Sequence, residues 1–161
     1  MPQPVEYIRR ITDNYAKLGY KAYQWVNSTD TPPWTPLRKP LSQCRLGLVA
    51  SGGIYATGQV AFHFKDDVSF RAIPTTVHTS DLRTSHFAYD QTDARKDPNV
   101  VFPIDTLRRL VKEGVVGSLA ENFFTFMGGI YSSRRVTEEL APQLTERLLA
   151  EKVDIALLVP V

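Results

Sequence analysis

Leu46-Gly47-Leu48-Val49-Ala50-Ser51-Gly52-Gly53 is the stretch whose reading decides the fold. Leu46 to Ala50 shows no polar alternation, as in a strand buried on both faces, and such strands belong to parallel sheets covered by helices. The run stops at a serine and two glycines, and a buried strand that ends in a glycine-rich turn is an α/β signature. A second run of this kind, Ile155-Ala156-Leu157-Leu158-Val159, lies near the carboxyl end. It is expected to be a buried, central strand. Its carboxyl end is expected beside Ser51-Gly52 or beside Gly128-Gly129, because ligand clefts of open parallel sheets lie beyond strand carboxyl ends.

Between these runs, strand and helix patterns alternate. Val68 to Ile73 alternates and is closed by Pro74. Val115 to Leu119 and Phe123 to Met127 are strand-like, the second ending at Gly128-Gly129. Thr106 to Glu113 reads as a helix, with Asp105 as its N-cap and Gly114 as its stop. Ser133 to Lys152 is helical in pattern, with Leu140, Leu144 and Leu148 on one face and a kink or restart expected at Pro142. The fold class is therefore α/β, a mostly parallel sheet with flanking helices. Residues 75–103 read as a long, polar and irregular connection, and long ordered loops carry function more often than short ones.

The amino-terminal part differs. Pro4 suits a first helical turn, and Val5, Ile8, Ile11, Tyr15 and Leu18 recur at helical spacing up to Gly19. This amphipathic helix is expected to dock on the main body. Tyr20, Tyr23, Trp25 and Trp34 then stand among prolines without a period, as in an extended arm anchored by its aromatics or offered to a partner. Residues 1–44 thus form a helix and arm, and residues 45–161 an α/β core.

Composition narrows the function. At 161 residues the chain is one ordinary domain. Apolar residues are 43 % and charged residues 22 %, which excludes a disordered or coiled-coil protein. The net charge of +2 is interleaved, without a basic block, and argues against nucleic-acid and membrane-surface partners. Cys44 is the only cysteine, so the chain holds no internal disulfide and no multi-thiolate metal site. No apolar run is long enough to span a bilayer, and Met1-Pro2-Gln3-Pro4 has no signal-peptide pattern. A cytoplasmic location is expected.

The candidate site residues follow from these elements. Ser51, Gly52 and Gly53 either present backbone N–H groups to a carboxylate or phosphate, or form a tight turn that needs glycine freedom. They lack the spacing of a dinucleotide site or a P-loop. Gly128 and Gly129 carry the same two readings. His78, Asp81, His86 and Asp90 share the long connection, where they suit substrate binding, proton donation, or hydrogen bonding that organises the loop. Their spacing matches no standard metal site, and no metal is expected. Arg71, Arg83 and Arg95 can each clamp a carboxylate, Arg95 being the one that reads best as solvated. Cys44, at the edge of the first strand, reads as packing. No nucleophile elbow or HExxH is present.

Leu48 to Tyr55 resembles the start of the selenoprotein B family of amino-acid reductases, and so does Asp81-Leu82-Arg83-Thr84-Ser85-His86-Phe87-Ala88-Tyr89-Asp90. Asp97 to Pro103, and Gly114 to Gly117 followed by Phe126-Met127-Gly128, fit the same order. The family covers the selenocysteine subunits of glycine, sarcosine, betaine and D-proline reductase, and the shorter D-proline type looks nearer. The resemblance runs from about Arg45 to Val161. It implies reductive C–N cleavage of a small amino acid or amine. The nucleophile is a selenocysteine, or a cysteine replacing it, directly after a strand like Leu157 to Val161. It also implies a pyruvoyl group on a partner subunit. By this likeness the chain stops just before its nucleophile, so the 161 residues alone are expected to be inactive and the core incomplete. Ser51 and Gly52 are then expected to bind the substrate carboxylate, and His86 or His78 to donate the proton, oriented by Asp81 or Asp90. Apolar surface left at Leu157, Leu158 and the Phe123-Phe124 region suggests a homo-oligomer. The competing classes are a non-catalytic α/β module that binds a small carboxylate or a partner chain, and a metal-dependent hydrolase or lyase.

Overall fold

The computed structural model describes residues 4–22 and 26–161, in two compact units divided between Trp34 and Thr35. In the first unit, α1 (Tyr7–Lys17) is the expected helix, ended by Gly19 at a φ of 83°. None of its residues is buried, and Ile8, Ile11 and Tyr15 keep their apolar stripe exposed. Tyr23 and Trp25 lie outside the described residues. Trp34 is exposed instead of packed as an anchor.

The second unit is built on β1 (Arg45–Ala50), the strand that the opening stretch predicts. One edge of β1 pairs with β7 (Ile155–Val159) along its length, from Leu46↔Ile155 to Ala50↔Val159. The other edge is shared. β5 (Ser118–Leu119) takes Arg45 and Leu46, and β6 (Asn122–Phe126) takes Val49 and Ala50. All three pairings are parallel, while β3 (Phe70–Pro74) lies antiparallel on the far side of β6. The sheet is therefore mostly parallel. Side chains alternate between two cores. Leu46, Leu48, Ala50, Ile73 and Phe123 pack with Phe102, Ile104 and Leu107 of the α3 (Ile104–Lys112) side. Val49 and Phe124 pack on the opposite face with Leu140 and Leu144.

Four expectations are corrected. β7 is an edge strand, paired only with β1 among the described residues, and its Leu158 is 67 % exposed. An unalternating apolar run reports apolar faces, but it does not report whether both backbone edges find partners. Ile155 and Val159 do pack on the core. The connection 75–103 is not irregular throughout. It holds β4 (Leu82–Thr84), α2 (Thr92–Lys96) and two 3-10 turns. β4 pairs antiparallel with β2 (Ile54–Ala56), and strands of three residues are too short to show a period. Asp105 is not the cap of α3, which follows Pro103. Instead its carboxylate takes hydrogen bonds from Thr79 (2.7 Å), Asn99 (3.0 Å) and Arg108 (2.7 Å), and so ties the connection to the helix. Phe123 and Phe124 are buried in the two cores and add nothing to the exposed apolar surface. The break expected at Pro142 is present: α4 (Ser133–Arg135) runs into a π-helical stretch, Val136–Leu140, and α5 (Ala141–Ala150) carries the proline in its first turn.

No helix among the described residues is long and apolar enough to cross a membrane. Cys44 is fully buried, its sulfur directed at the Lys39 and Pro40 carbonyls.

Candidate active site at the strand carboxyl ends

Three strand ends meet at Ser51. Its N–H donates to the Val159 carbonyl (3.1 Å), its own carbonyl accepts from Gly128 N–H (2.9 Å), and its Oγ accepts from Val161 N–H (2.9 Å). Gly53 N–H donates to the Phe126 carbonyl (3.0 Å). The carboxyl end of β7 thus reaches the Ser51-Gly52 turn, to which Gly128 is bonded from β6. The approach is close, since a Cβ on Gly128 would stand 3.0 Å from the Ser51 Cβ. The amides of Ser51, Gly53 and Gly128 are engaged in joining the strands, which leaves Gly52 as the amide of this turn that the joining does not use.

Gly53 draws the second part of the site inward. Its φ is 70°, and a Cβ there would fall on the Ser85 carbonyl oxygen. Only glycine permits this contact. Ser85 N–H in turn donates to the Gly53 carbonyl (2.9 Å), so the chain after β4 is held against the strand ends. The next residue, His86, is 3 % exposed. Its Nδ1 accepts from Ala88 N–H at 3.1 Å. Its Nε2 is buried without a hydrogen-bond partner, and the Ser51 main-chain carbonyl faces the ring closely enough to favour a proton on it. Burial pushes the His86 imidazole below its ordinary pKa, and the Ser51 carbonyl only partly opposes that shift. The Tyr89 ring lies 4.6 Å from the imidazole at 53°, and its hydroxyl donates to the Gly52 carbonyl at 2.9 Å. Burial raises the Tyr89 pKa against the opposing charge of Arg95. Gln91 Nε2 holds the His86 carbonyl.

The structure therefore brings Ser51, Gly52, Gly53, Gly128 and His86 together, with Tyr89 added. It does not bring the other candidates to them. His78 is exposed, with Nδ1 against Ser80 Oγ at 3.2 Å. Asp81 is exposed, and its main-chain carbonyl accepts from Thr57. The Asp90 carboxylate takes Thr92 N–H (2.9 Å) and Oγ1 (2.6 Å) ahead of α2, and these bonds lower its pKa. Among the described residues no carboxylate bonds an imidazole ring. Arg83 Nη1 donates to the Ser80 and Leu82 carbonyls at 2.7 and 2.8 Å. Gly129 N–H points to Met127 Sδ at 3.0 Å. Arg71 stacks on Phe62 with its guanidinium carbon 4.3 Å from the ring centre. Among the described residues no group of three or more His, Cys, Asp or Glu is placed to hold a metal ion. Tyr89 is the site residue that sequence reasoning passes over. No periodic signal could have found it, because residues 86–89 lie in neither helix nor strand.

Residues 15–160 match the model of the glycine/sarcosine/betaine reductase selenoprotein B family. The chain is 37 % identical over 140 residues to D-proline reductase subunit gamma of Acetoanaerobium sticklandii, an alignment covering 87 % of this chain and 58 % of that protein. It is 31 % identical over 125 residues to glycine reductase complex component B subunit gamma of Symbiobacterium thermophilum, covering 73 % of this chain and 29 % of the relative. Sarcosine reductase complex component B subunit beta of Peptoclostridium acidaminophilum is 27 % identical over 138 residues. The chain thus spans a little over half the length of the first of these relatives and about three-tenths of the others. No solved structure matches it. A match over nearly the whole chain, with the resembling stretches 48–55 and 81–90 packed together at the strand ends, decides the matter: the chain belongs to the glycine/sarcosine/betaine reductase selenoprotein B family.

Proposed function

We propose that this chain is the selenoprotein-type subunit of an amino-acid reductase, acting in the reductive cleavage of a C–N bond in a small amino acid or amine of the D-proline, glycine or betaine type. The redox nucleophile, a selenolate or thiolate, belongs at the position following Val161. One observation supports the reading: Val161 N–H is bonded to Ser51 Oγ at 2.9 Å, so a residue following Val161 would start from beside Ser51. The buried, unpartnered His86 Nε2 faces the carbonyl of that same serine, so the surroundings fit a reacting group there. A selenol supplies an anionic nucleophile at neutral pH without a separate strong base, because it is more acidic than a thiol.

This chain's own residues do the rest. Ser51 fixes the end of β7 through its hydroxyl and its amide. Gly52 offers its amide to the substrate carboxylate, and Gly53 and Gly128 permit the close backbone approach that shapes the turn. His86 is the polar side chain left to act on the reacting atoms. His78, Asp81, Asp90, Arg83 and Gly129 stand outside this set. In this reading the pyruvoyl group sits on a partner subunit, the protein works in the cytoplasm, and exposed Leu157 and Leu158 form part of an association surface.

The test compares two chains in the presence of the pyruvoyl-bearing partner and a dithiol. The chain carried on through selenocysteine or cysteine after Val161 and the segment that follows it in the relatives is expected to cleave D-proline, glycine, sarcosine or betaine. The 161-residue chain is expected to show no turnover. Thiol-dependent cleavage by the 161-residue chain itself would overturn the assignment.

A further inference from the structure

We propose that His86 is a fixed, neutral hydrogen-bond donor that presents Nε2–H to an anionic atom at the carboxyl end of β7, with Ala88 and Tyr89 as the residues that position it. The proposal rests on the site assigned above and specifies the charge which that site receives.

The bond to Ala88 sets the tautomer. A backbone N–H keeps its proton at any ordinary pH, so the 3.1 Å contact requires a lone pair on Nδ1. A neutral imidazole has one such nitrogen, and the single ring proton is therefore on Nε2. A second proton would have to enter at Nδ1. It would break the Ala88 bond and place a cation where the ring is 3 % exposed. His86 thus acts neither as a cationic acid nor, through Nδ1, as a base. What it has to offer is one N–H.

That N–H completes no hydrogen bond within the chain, although the Ser51 carbonyl faces the ring. Nε2 is buried and unbonded, and a buried donor in a native protein is normally satisfied by a partner or a ligand. The main-chain group facing the ring is the Ser51 carbonyl, and Ser51 also carries the bonds to Val159 and Val161. The donor is therefore held where three strand ends converge. Tyr89 fixes its orientation: the ring packs on the imidazole at 4.6 Å while the hydroxyl is tied to the Gly52 carbonyl at 2.9 Å. A preset donor in a water-poor site favours a negative atom more strongly than one in water, without reorganising as charge develops. That atom comes from one of two sources, the chain's own selenolate or thiolate, or the carboxylate of the substrate.

Nitrogen-15 spectra of the 161-residue chain test the tautomer directly. His86 is expected to show a pyridine-type Nδ1 and a pyrrole-type Nε2 throughout the neutral range, and Tyr89→Phe to weaken that preference. An imidazolium at neutral pH, or a ring protonated on Nδ1, overturns the proposal whatever the activity of the extended chain. The two sources are separated by two further measurements. Adding D-proline or acetate to the 161-residue chain shifts the Nε2 resonance if the acceptor is a carboxylate. In the extended chain with cysteine after Val161, His86→Phe raises the pH at which the thiol alkylates if the acceptor is the thiolate. Absence of both responses would overturn the proposal. With the complete complex, His86→Phe is expected to lower turnover on the order of 100-fold, and His86→Gln, which restores an N–H near the Nε2 position, to recover part of it. Equal losses in the two variants would also overturn it. A neutral Nε2–H ring found together with an inactive extended chain sinks the reductase reading and leaves the tautomer standing.

Discussion

His78 and His86 lie in the same stretch between β3 and α3, each with an aspartate a few residues further on, and the fold treats them in opposite ways. Residues 78–83 turn outward. His78 is exposed, its ring meets only a local serine, and Arg83 folds back on neighbouring carbonyls. In residues 85–91 the His86 side chain turns inward, although Phe87 and Asp90 stay exposed, and His86 becomes one of two buried polar residues of the unit, the other being Thr125. Nothing in the composition of the two segments separates them. The difference lies in what each backbone touches. Ser85 is clasped by Gly53 at the end of the central strand, whereas the turn before β4 is tied only to Thr57 and, through Thr79, to α3. The lesson is that the role of a loop histidine is set by its neighbour across the fold more than by the residues beside it.

The strongest way to break the contrast is to remove the clasp. Gly53→Ala places a Cβ on the Ser85 carbonyl at a φ of 70°, and is expected to cost about 2–5 kcal/mol of stability through backbone strain and overpacking. Gly58 is the control. It also has a positive φ, 92°, but no atom lies within 4 Å of its added Cβ. Gly58→Ala is expected to cost about 1 kcal/mol from backbone conformation alone. Urea unfolding of both variants measures the gap. Similar losses would mean that the Gly53–Ser85 approach holds nothing inward.

A smaller effect is expected from the side chains themselves. His86→Ala empties a buried site and removes the Ala88 acceptor, for about 2 kcal/mol. His78→Ala acts on an exposed ring and is expected to stay within about 0.5 kcal/mol. Thermal unfolding of the pair checks this, and a His78 loss matching that of His86 would erase the distinction.

These contrasts mark the limit of what the sequence shows. The central strand, the helix patterns and the mostly parallel sheet are legible, because Leu46 to Ala50 and Leu140, Leu144 and Leu148 carry their period in consecutive residues. The edge position of β7 is not, since its apolar faces look alike whether or not a further strand pairs beyond it. The β2–β4 ribbon is too short to have a pattern. Ser51 and Gly52 can be picked out at a strand end from sequence, but the partner that makes Gly53 obligatory, Ser85, is distant along the chain. Choosing His86 over His78, and noticing Tyr89, depends on that single long-range contact.

The smallest expected effect concerns pH, and its sign follows from the burial of His86. Burial holds the folded-state pKa of His86 below its ordinary value. The unfolded chain therefore takes up a proton near an ordinary histidine pKa of about 6.5, while the folded chain resists it. Above that pH both states are neutral at His86, and the ring's contribution to stability is fully present. As the pH falls below about 6.5 the unfolded state alone gains the proton. Stability then declines until the lowered folded-state pKa is reached, where the loss is complete. Carboxylates such as Asp105, whose pKa is lowered by the hydrogen bonds from Asn99 and Thr79, lose their contribution only at more acid pH. The His86 loss therefore occupies a window of its own between neutral pH and the carboxylate range. Unfolding free energies measured across that window should fall in the native chain and stay flat in His86→Ala. A flat profile in the native chain, or one that persists unchanged in His86→Ala, would show that His86 is not the buried neutral ring on which the contrast between the two segments depends.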